Sequence, residues 1–181
     1  MSGSKAEALL LVDGYNIIGA WPSLINMRDR HGLEPARQKL IEKLINFSTH
    51  QGYKTQVIFD SQYQKSPVSS EVFSRNFSIY FTAFAQTADS YIERLCATLG
   101  RQVSSSRLIV ATSDEAQRRT VIGYGAECIS AKRLLSEVNS ADDKIRRNNC
   151  SNGSHRGSRY LSNGLSPDAR EILDRWIGRI E

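Results

Sequence analysis

Three short apolar runs in this 181-residue chain are each followed closely by an aspartate. The runs lie at residues 8–12, 55–59 and 108–111, and the aspartates are Asp13, Asp60 and Asp114. Continuous apolar runs of this length are typical of strands buried on both faces, as in a parallel sheet that helices cover on both sides. More than any other feature, they constrain the chain to an α/β fold.

The segments between these runs complete the α/β pattern. Further strands are predicted at 78–82 and 126–129, and helices are predicted to begin near Pro35, Thr87, Asp114 and Ser130. The order predicts a mostly parallel sheet of about five strands with helices on both faces. Residues 61–76 are mainly polar and predict a loop.

The composition changes after residue 147. Residues 1–147 are predicted to form one domain, and residues 148–181 a basic flexible linker followed by a last helix. The net charge is +5, and five basic residues without an acid lie between positions 144 and 159. These residues are Lys144, Arg146, Arg147, Arg156 and Arg159. Such a segment favours binding to a polyanion such as RNA, although a solubilising linker has the same composition.

Several classes of protein do not fit the sequence. No apolar run approaches the roughly 20 residues that span a bilayer, and the N-terminus does not resemble a signal peptide. Cys96, Cys128 and Cys150 have no paired spacing, which argues against disulfides or structural zinc and favours a reducing compartment. The three histidines are scattered, and we expect them to be exposed.

The acids fall where a parallel sheet places its functional sites. Asp13, Asp60 and Asp114 follow strands, and Asp89 opens the helix after another strand, so all four are expected at the carboxyl edge. Glu93 shares a helix face with Asp89. Each acid alone would be an ordinary turn or helix-cap residue. Together, hard oxygen donors without histidine or cysteine indicate Mg²⁺ or Mn²⁺.

Other α/β chemistries lack their motifs. The turn after the first strand is not G-x-G-x-x-G, and neither a P-loop nor a G-x-S-x-G nucleophile elbow is present. Phosphotransfer through an aspartyl nucleophile would normally need an acid two residues after Asp13, and Tyr15 stands there. Dinucleotide binding, nucleotide hydrolysis by a P-loop and serine hydrolysis are therefore unsupported.

Three segments together resemble one family. Residues 11–16 (LVDGYN), 87–93 (TADSYIE) and 110–114 (VATSD) look like the motifs of the NYN domain, a branch of the PIN-like nucleases, and are most similar to its YacP-like members. The resemblance implies a PIN-like Rossmannoid fold and a metal-dependent endoribonuclease, tied in bacterial members to mRNA turnover and ribosomes. Two positions depart from the family pattern: Glu115 replaces a frequent aromatic, and residues 83–86 (AFAQ) are unusually apolar.

The resemblance also assigns roles to residues. Asp13, Asp89 and Asp114 match the metal-site positions, Asn16 and Ser113 would orient ligands or phosphate, and Glu93 matches a supporting position. Asp60 is a further supporting candidate. Arg118 and Arg119 are candidates for phosphate contacts, Tyr15 and Trp21 for stacking on an unpaired base, and Trp176 for packing.

The sequence therefore predicts a metal-dependent endoribonuclease that cleaves single-stranded RNA, with mRNA as substrate and the ribosome as a candidate partner. A catalytically inert RNA- or ribosome-binding module and a hydrolase of small phosphates are the alternatives. No membrane association is predicted. The expected compartment is a bacterial cytoplasm, or a plastid stroma if an import peptide has been removed. The sequence does not indicate an oligomeric state.

Overall fold

A six-stranded sheet forms the centre of the molecule. The computed structural model describes residues 8–61, 70–100 and 107–151. The strands are β1 (Ala8–Asp13), β2 (Lys54–Phe59), β3 (Ser70–Ser74), β4 (Phe77–Phe81), β5 (Arg107–Ala111) and β6 (Glu127–Ile129). Their order across the sheet is β3-β4-β2-β1-β5-β6. All pairs are parallel except β3–β4, so the α/β fold with five parallel strands is confirmed.

Six helices connect the strands. They are α1 (Gly14–Ala20), α2 (Pro22–His31), α3 (Leu33–Gln51), α4 (Ala88–Leu99), α5 (Glu115–Gly123) and α6 (Ala131–Ser151). Helices α3 to α6 correspond to the helices predicted to begin near Pro35, Thr87, Asp114 and Ser130. None of the helices in the described ranges is long and apolar enough to span a bilayer.

The two faces of the sheet bury separate cores, because successive residues of a strand point to opposite sides. Leu10 and Val12 of β1 face α1, α2, α3 and α6, whereas Leu11 faces α4 and α5. All three side chains are fully or almost fully buried. The continuous apolar run of β1 is therefore explained by helices on both faces.

The chain reverses direction across the sheet beside β1. From β1 it proceeds through β2 to β4, and α4 then returns it to β5 on the other side of β1. The carboxyl ends of β1 and β5 therefore flank a topological switch point, where open α/β sheets form their binding crevices.

The edge strand β3 corrects the predicted loop at 61–76. Ser70–Ser74 pairs antiparallel with β4 across the short turn at Arg75 and Asn76. The sequence signal for β3 was weak because this edge strand pairs with β4 alone and its sequence, SEVFS, mixes polar and apolar residues. Residues 62–69 lie outside the described part of the chain.

Two helices were not predicted between residues 14 and 31. Asp13 caps α1, and Pro22 occupies the first turn of α2 directly after Trp21. The sequence carried signals for both helices, because an aspartate cap and a proline at the first helical position are typical of helix starts.

Helix α6 is longer than expected. It extends to Ser151, so residues 148–151 are helical rather than part of the predicted linker. No glycine or proline interrupts the chain before Gly153, and asparagine lowers helix stability by only a few tenths of a kcal/mol. The remainder of the predicted linker and the last helix, including Trp176, lie outside the described residues.

Candidate active site at the carboxyl edge of the sheet

Four aspartates meet at the carboxyl edge of the sheet. Asp13 ends β1, Asp60 follows β2, Asp89 lies in the first turn of α4, and Asp114 caps α5. The charges of Asp60 and Asp89 act on Asp13, and those of Asp60 and Asp114 act on Asp89. The structure therefore brings together the acids that the sequence assigned to one edge.

Asp13 is the most deeply placed of the four. Its side chain is 7% exposed, and Oδ1 accepts a hydrogen bond from the backbone N–H of Asn16 at 3.2 Å. Gly14 lets the start of α1 lie directly against the ring of Phe59, where a Cβ would overlap the ring. This close packing fixes the helix start, and with it the position of the carboxylate.

The carboxyl groups of Asp13 and Asp89 lie within reach of each other, and each affects the pKa of the other. Burial, with the neighbouring charges of Asp89 and Asp60, raises the pKa of Asp13 to about 7 despite the lowering effect of the Asn16 hydrogen bond. Burial is also the largest cause that raises the pKa of Asp89. Without a cation, protonation of this pair is therefore favoured.

Asp114 and Asn16 connect β5 to β1. Asp114 Oδ1 accepts hydrogen bonds from the backbone N–H groups of Ala116 at 2.7 Å and Gln117 at 3.0 Å. Asn16 Oδ1 accepts the backbone N–H of Ser113 at 2.7 Å. Asn16 therefore links the Asp13 turn to the Asp114 turn across the switch point, while the Ser113 side chain is exposed.

Glu93 lies one turn after Asp89 on α4 and is half-buried. Its charge acts on Cys96, one turn further along, where burial raises the thiol pKa to about 11. No described contact joins Glu93 to the other acids, so its supporting role stays a prediction.

The acidic edge has the donor chemistry for Mg²⁺ or Mn²⁺. All four side chains are carboxylates, and a cation would offset the burial and repulsion that raise the pKa of Asp13 and Asp89. Among the described residues, no three acidic, histidine or cysteine side chains converge as they stand into a ready-made set of ligands. Metal binding would therefore require these side chains to move around the ion.

Sequence reasoning missed Arg37, which is buried beside this edge. Its guanidinium lies 6.0 Å from the ring centre of Phe59 and 5.7 Å from that of Phe81. It donates a hydrogen bond to the Tyr15 hydroxyl at 3.2 Å and pairs with Glu34. The signal was available, because Arg37 lies on the apolar face of α3, one turn before Ile41.

The two candidates for base stacking differ in exposure, and stacking by Tyr15 stays a prediction. Trp21 is fully buried, and its Nε1 donates a hydrogen bond to the carbonyl of Ala131 at 2.8 Å, so the stacking prediction for Trp21 is wrong. Trp21 instead ties the α1–α2 junction to α6. Tyr15 is half-buried, with its ring edge against Phe59 at 5.1 Å.

The candidate RNA-binding arginines differ in placement. Arg118 and Arg119 are exposed on α5, and each is 3.6 Å from Glu115. Lys144, Arg146 and Arg147 are exposed near the end of α6. Arg156 and Arg159 lie outside the described residues. RNA binding by any of these side chains stays a prediction.

The model of one family, the YacP-like NYN domain, matches residues 10–178. Apart from the first two residues of β1, the match includes every strand and helix of the described part of the chain. The chain belongs to the YacP-like NYN family. NYN domains are generally ribonucleases related to the PIN-like nucleases, so membership indicates a nuclease fold and RNA as the substrate class.

Individual relatives agree with this family. The uncharacterized protein YacP from Bacillus subtilis (strain 168) is 35% identical over 139 residues, which are 77% of this chain and 79% of YacP. A crystal structure of Rae1 (YacP) from B. subtilis is 28% identical with a TM-score of 0.64, covering 95% of this chain and 91% of Rae1. A single-site mutant of Rae1 is 30% identical with a TM-score of 0.67, covering 93% and 99%.

Proposed function

We propose that this NYN domain is a divalent-metal-dependent endoribonuclease that cleaves single-stranded RNA. The observation that carries the proposal is the Asp13–Asp89 carboxyl pair, held with Asp60 and Asp114 at the switch point of the sheet. A fold gains nothing from crowding acids at one edge, since like charges in a half-buried site destabilise it. A cation between the acids would offset this repulsion and could bind the phosphate of a phosphodiester.

Asp13, Asp89 and Asp114 would hold Mg²⁺ or Mn²⁺, directly or through water. The ion would lower the pKa of a bound water and neutralise charge on the scissile phosphate. Asp60 adds negative charge that strengthens cation binding. Glu93 would support this set from the next turn of α4.

The remaining residues position these acids. The Asn16–Ser113 hydrogen bond holds the β1 and β5 turns in register, and the α5 cap orients the carboxylate of Asp114. Capping uses the Oδ1 atom alone. Arg37 is buried, and its contacts with the Tyr15 hydroxyl and the Phe59 ring would support the wall of the site.

The basic end of α6 and the segment that follows it would bind the RNA backbone. Lys144, Arg146 and Arg147 are exposed there, and Arg156 and Arg159 follow in sequence. We extend the proposal to mRNA presented by the ribosome, and to a bacterial cytoplasm, on the family resemblance alone.

The test is cleavage of a labelled single-stranded RNA by the purified protein with Mg²⁺, Mn²⁺ or chelator. We expect cleavage with either metal, none in chelator, and loss of cleavage in Asp13→Asn, Asp89→Asn and Asp114→Asn. Asp143→Asn, which changes an exposed acid on α6, is the matched control and should cleave normally. Near-normal cleavage by all three site variants would refute the assignment.

Two other outcomes separate the alternatives. RNA binding without cleavage under any metal would indicate the inert binding module. Hydrolysis of a small phosphate ester at a rate that exceeds RNA cleavage would indicate a phosphatase-like enzyme instead.

A further inference from the structure

Phe84 lies in the loop between β4 and α4 at the carboxyl edge of the sheet, and its aromatic side chain is exposed to solvent. It is 94% exposed, compared with 50% for Ile122 and 42% for Tyr124, the other large apolar side chains that the described residues expose. A phenylalanine gains stability from burial, and this one contributes none to the core. Its position therefore needs a reason outside the fold.

The turn that carries Phe84 is closed and strained. Gln86 donates its backbone N–H to the carbonyl of Ala83 at 2.9 Å, which places Phe84 and Ala85 at the tip of a four-residue turn. Ala85 has a φ of 65°, a conformation that turns usually give to glycine. An alanine in this region costs about 1 kcal/mol or more. The structure thus fixes the backbone from which the ring projects into solvent.

The same turn is bonded to the acidic edge. Ser61, the residue after Asp60, donates its backbone N–H to Thr82 Oγ1 at 3.0 Å and its hydroxyl to the carbonyl of Ala83 at 3.2 Å. Downstream, Thr87 caps α4, which carries Asp89 in its first turn. Phe84 is therefore fixed between the segments that position Asp60 and Asp89.

We propose that Phe84 is a base-stacking residue, which holds an unpaired base of the RNA strand whose phosphate lies at the acidic edge. This inference rests on the proposed function and names a residue that sets how the strand is positioned. Stacking on an aromatic ring is how proteins grip single-stranded nucleic acid with little preference for sequence. Phe84 would take the role that the buried Trp21 cannot have.

A nucleobase fits this position better than a protein surface. Among the described residues, no other large apolar side chain is as exposed as Phe84, and Thr87 and Ser90, which follow it closely in sequence, are exposed and polar. A docking protein would need a wider apolar patch, whereas one ring matches one base. The nearby acids also suit RNA, because metal ions held by the acids would bind the phosphates while the bases contact other residues.

The test is binding of two labelled oligomers of equal length, one an ordinary single-stranded RNA and the other with every base removed. Binding is measured by fluorescence anisotropy with Ca²⁺ in place of Mg²⁺ or Mn²⁺, so that a hard cation is available to the acidic edge, and gel electrophoresis checks that no strand is cut. Phe84→Ala should weaken binding of the intact RNA by about fivefold or more, which is the lower end of what a stacked base contributes. It should leave binding of the abasic oligomer unchanged, because the phosphate contacts remain.

Two further variants make the comparison specific. Phe84→Trp keeps an aromatic face and should bind the intact RNA as the unaltered protein does. Ile122→Ala removes another exposed apolar side chain and should change neither affinity. Thermal unfolding of Phe84→Ala should match that of the unaltered protein, since the ring is in water.

The proposal is overturned if Phe84→Ala binds intact RNA normally, if it loses affinity equally for both oligomers, or if the unaltered protein does not bind intact RNA. These results are separable from failure of the proposed function. Absence of metal-dependent cleavage, together with a base-dependent effect of Phe84→Ala, would refute the nuclease and support the stacking residue. Metal-dependent cleavage with no such effect would do the reverse.

Discussion

Asp13 has an observed structural role and a proposed functional one. It caps α1, as a turn aspartate should, yet it is almost wholly buried and within reach of a second carboxyl group. The capping role alone would be served as well by asparagine or serine. The choice of an ionisable group at this place is therefore best explained by cation binding.

The raised pKa of Asp13 predicts how stability changes with pH in the absence of metal. The folded protein binds the proton of the Asp13 carboxyl group more tightly than the unfolded chain does. The stability that this protonation contributes is therefore complete below the ordinary aspartate pKa of about 4 and is lost as pH rises through about 7. In chelator, we expect the free energy of unfolding to fall by a few kcal/mol over this window.

Asp13→Asn keeps the helix cap and removes the charge. Its unfolding free energy in chelator should therefore vary less with pH and exceed that of the unaltered protein at pH 8. Urea unfolding at pH 5 and pH 8 measures both effects, with Asp143→Asn as the control that should behave like the unaltered protein. A parallel pH dependence in Asp13→Asn would contradict the burial of this carboxylate.

Asn16 is predicted to act through its hydrogen bond to the backbone of Ser113. Asn16→Ala removes the acceptor, so the β1 and β5 turns lose their link, and kcat of RNA cleavage should fall about tenfold or more, as expected when catalytic groups are misplaced by about 1 Å. Ser113→Ala keeps the backbone N–H and should lower kcat less. Steady-state kinetics with Mn²⁺ would decide, and a larger loss in Ser113→Ala would contradict this role.

At the scale of elements, the start of α1 depends on its contact with β2. Gly14 meets the ring of Phe59, which is itself fully buried and stacked on Phe81 with centroids 5.5 Å apart. Movement of the ring would disturb its packing against Phe81 and the rest of the core. This contact sets the height of Asp13 above the sheet edge.

Gly14→Ala should therefore destabilise the fold by about 1–3 kcal/mol, the usual cost of overpacking a core. Gly19→Ala is the matched control in the same helix, because nothing lies within 4 Å of the added Cβ. Alanine there should stabilise the helix by up to about 1 kcal/mol. Urea unfolding of both variants tests the contact, and equal stabilities would show that Phe59 does not restrain α1.

The sequence predicted the elements whose patterns are dictated by burial on both sides. The runs at β1, β2 and β5 and the stripe of α4 are set by the two cores, and the acids after them follow from the parallel order. The strand β3 and the burial of Trp21 depend on partners distant in sequence, namely β4 and the carbonyl of Ala131. A local sequence pattern does not indicate contacts with partners so distant in sequence. The fixed exposure of Phe84 was equally invisible, since it depends on how the turn is bonded to Ser61.

At the scale of the whole molecule, two charged regions bear on the proposal. Four aspartates lie at the carboxyl edge of the sheet, and α6 exposes Lys144, Arg146 and Arg147 near its C-terminal end. A nucleic acid strand carries phosphates along its length, so a strand long enough to reach both regions would contact both. The basic region would then supply affinity, and the acidic edge would supply chemistry.

Replacing Arg146 and Arg147 by glutamine should weaken RNA binding similarly for different sequences. If each contacts one phosphate, the slope of log affinity against log salt should become shallower by about 1.4, which is about 0.7 per contact on single strands. Lys54→Gln with Arg75→Gln removes the same charge from exposed positions elsewhere and should leave the slope unchanged. An equal change in both double variants would show that only net charge matters.

The most direct test is to locate Mn²⁺ by its anomalous scattering in crystals of the unaltered protein grown with the metal. The account predicts an ion at the carboxyl edge, bound to Asp13 and Asp89, with Asp114 bound directly or through water. An ion bound elsewhere, or no ion at these three aspartates in crystals of a protein that cleaves RNA with Mn²⁺, would contradict it.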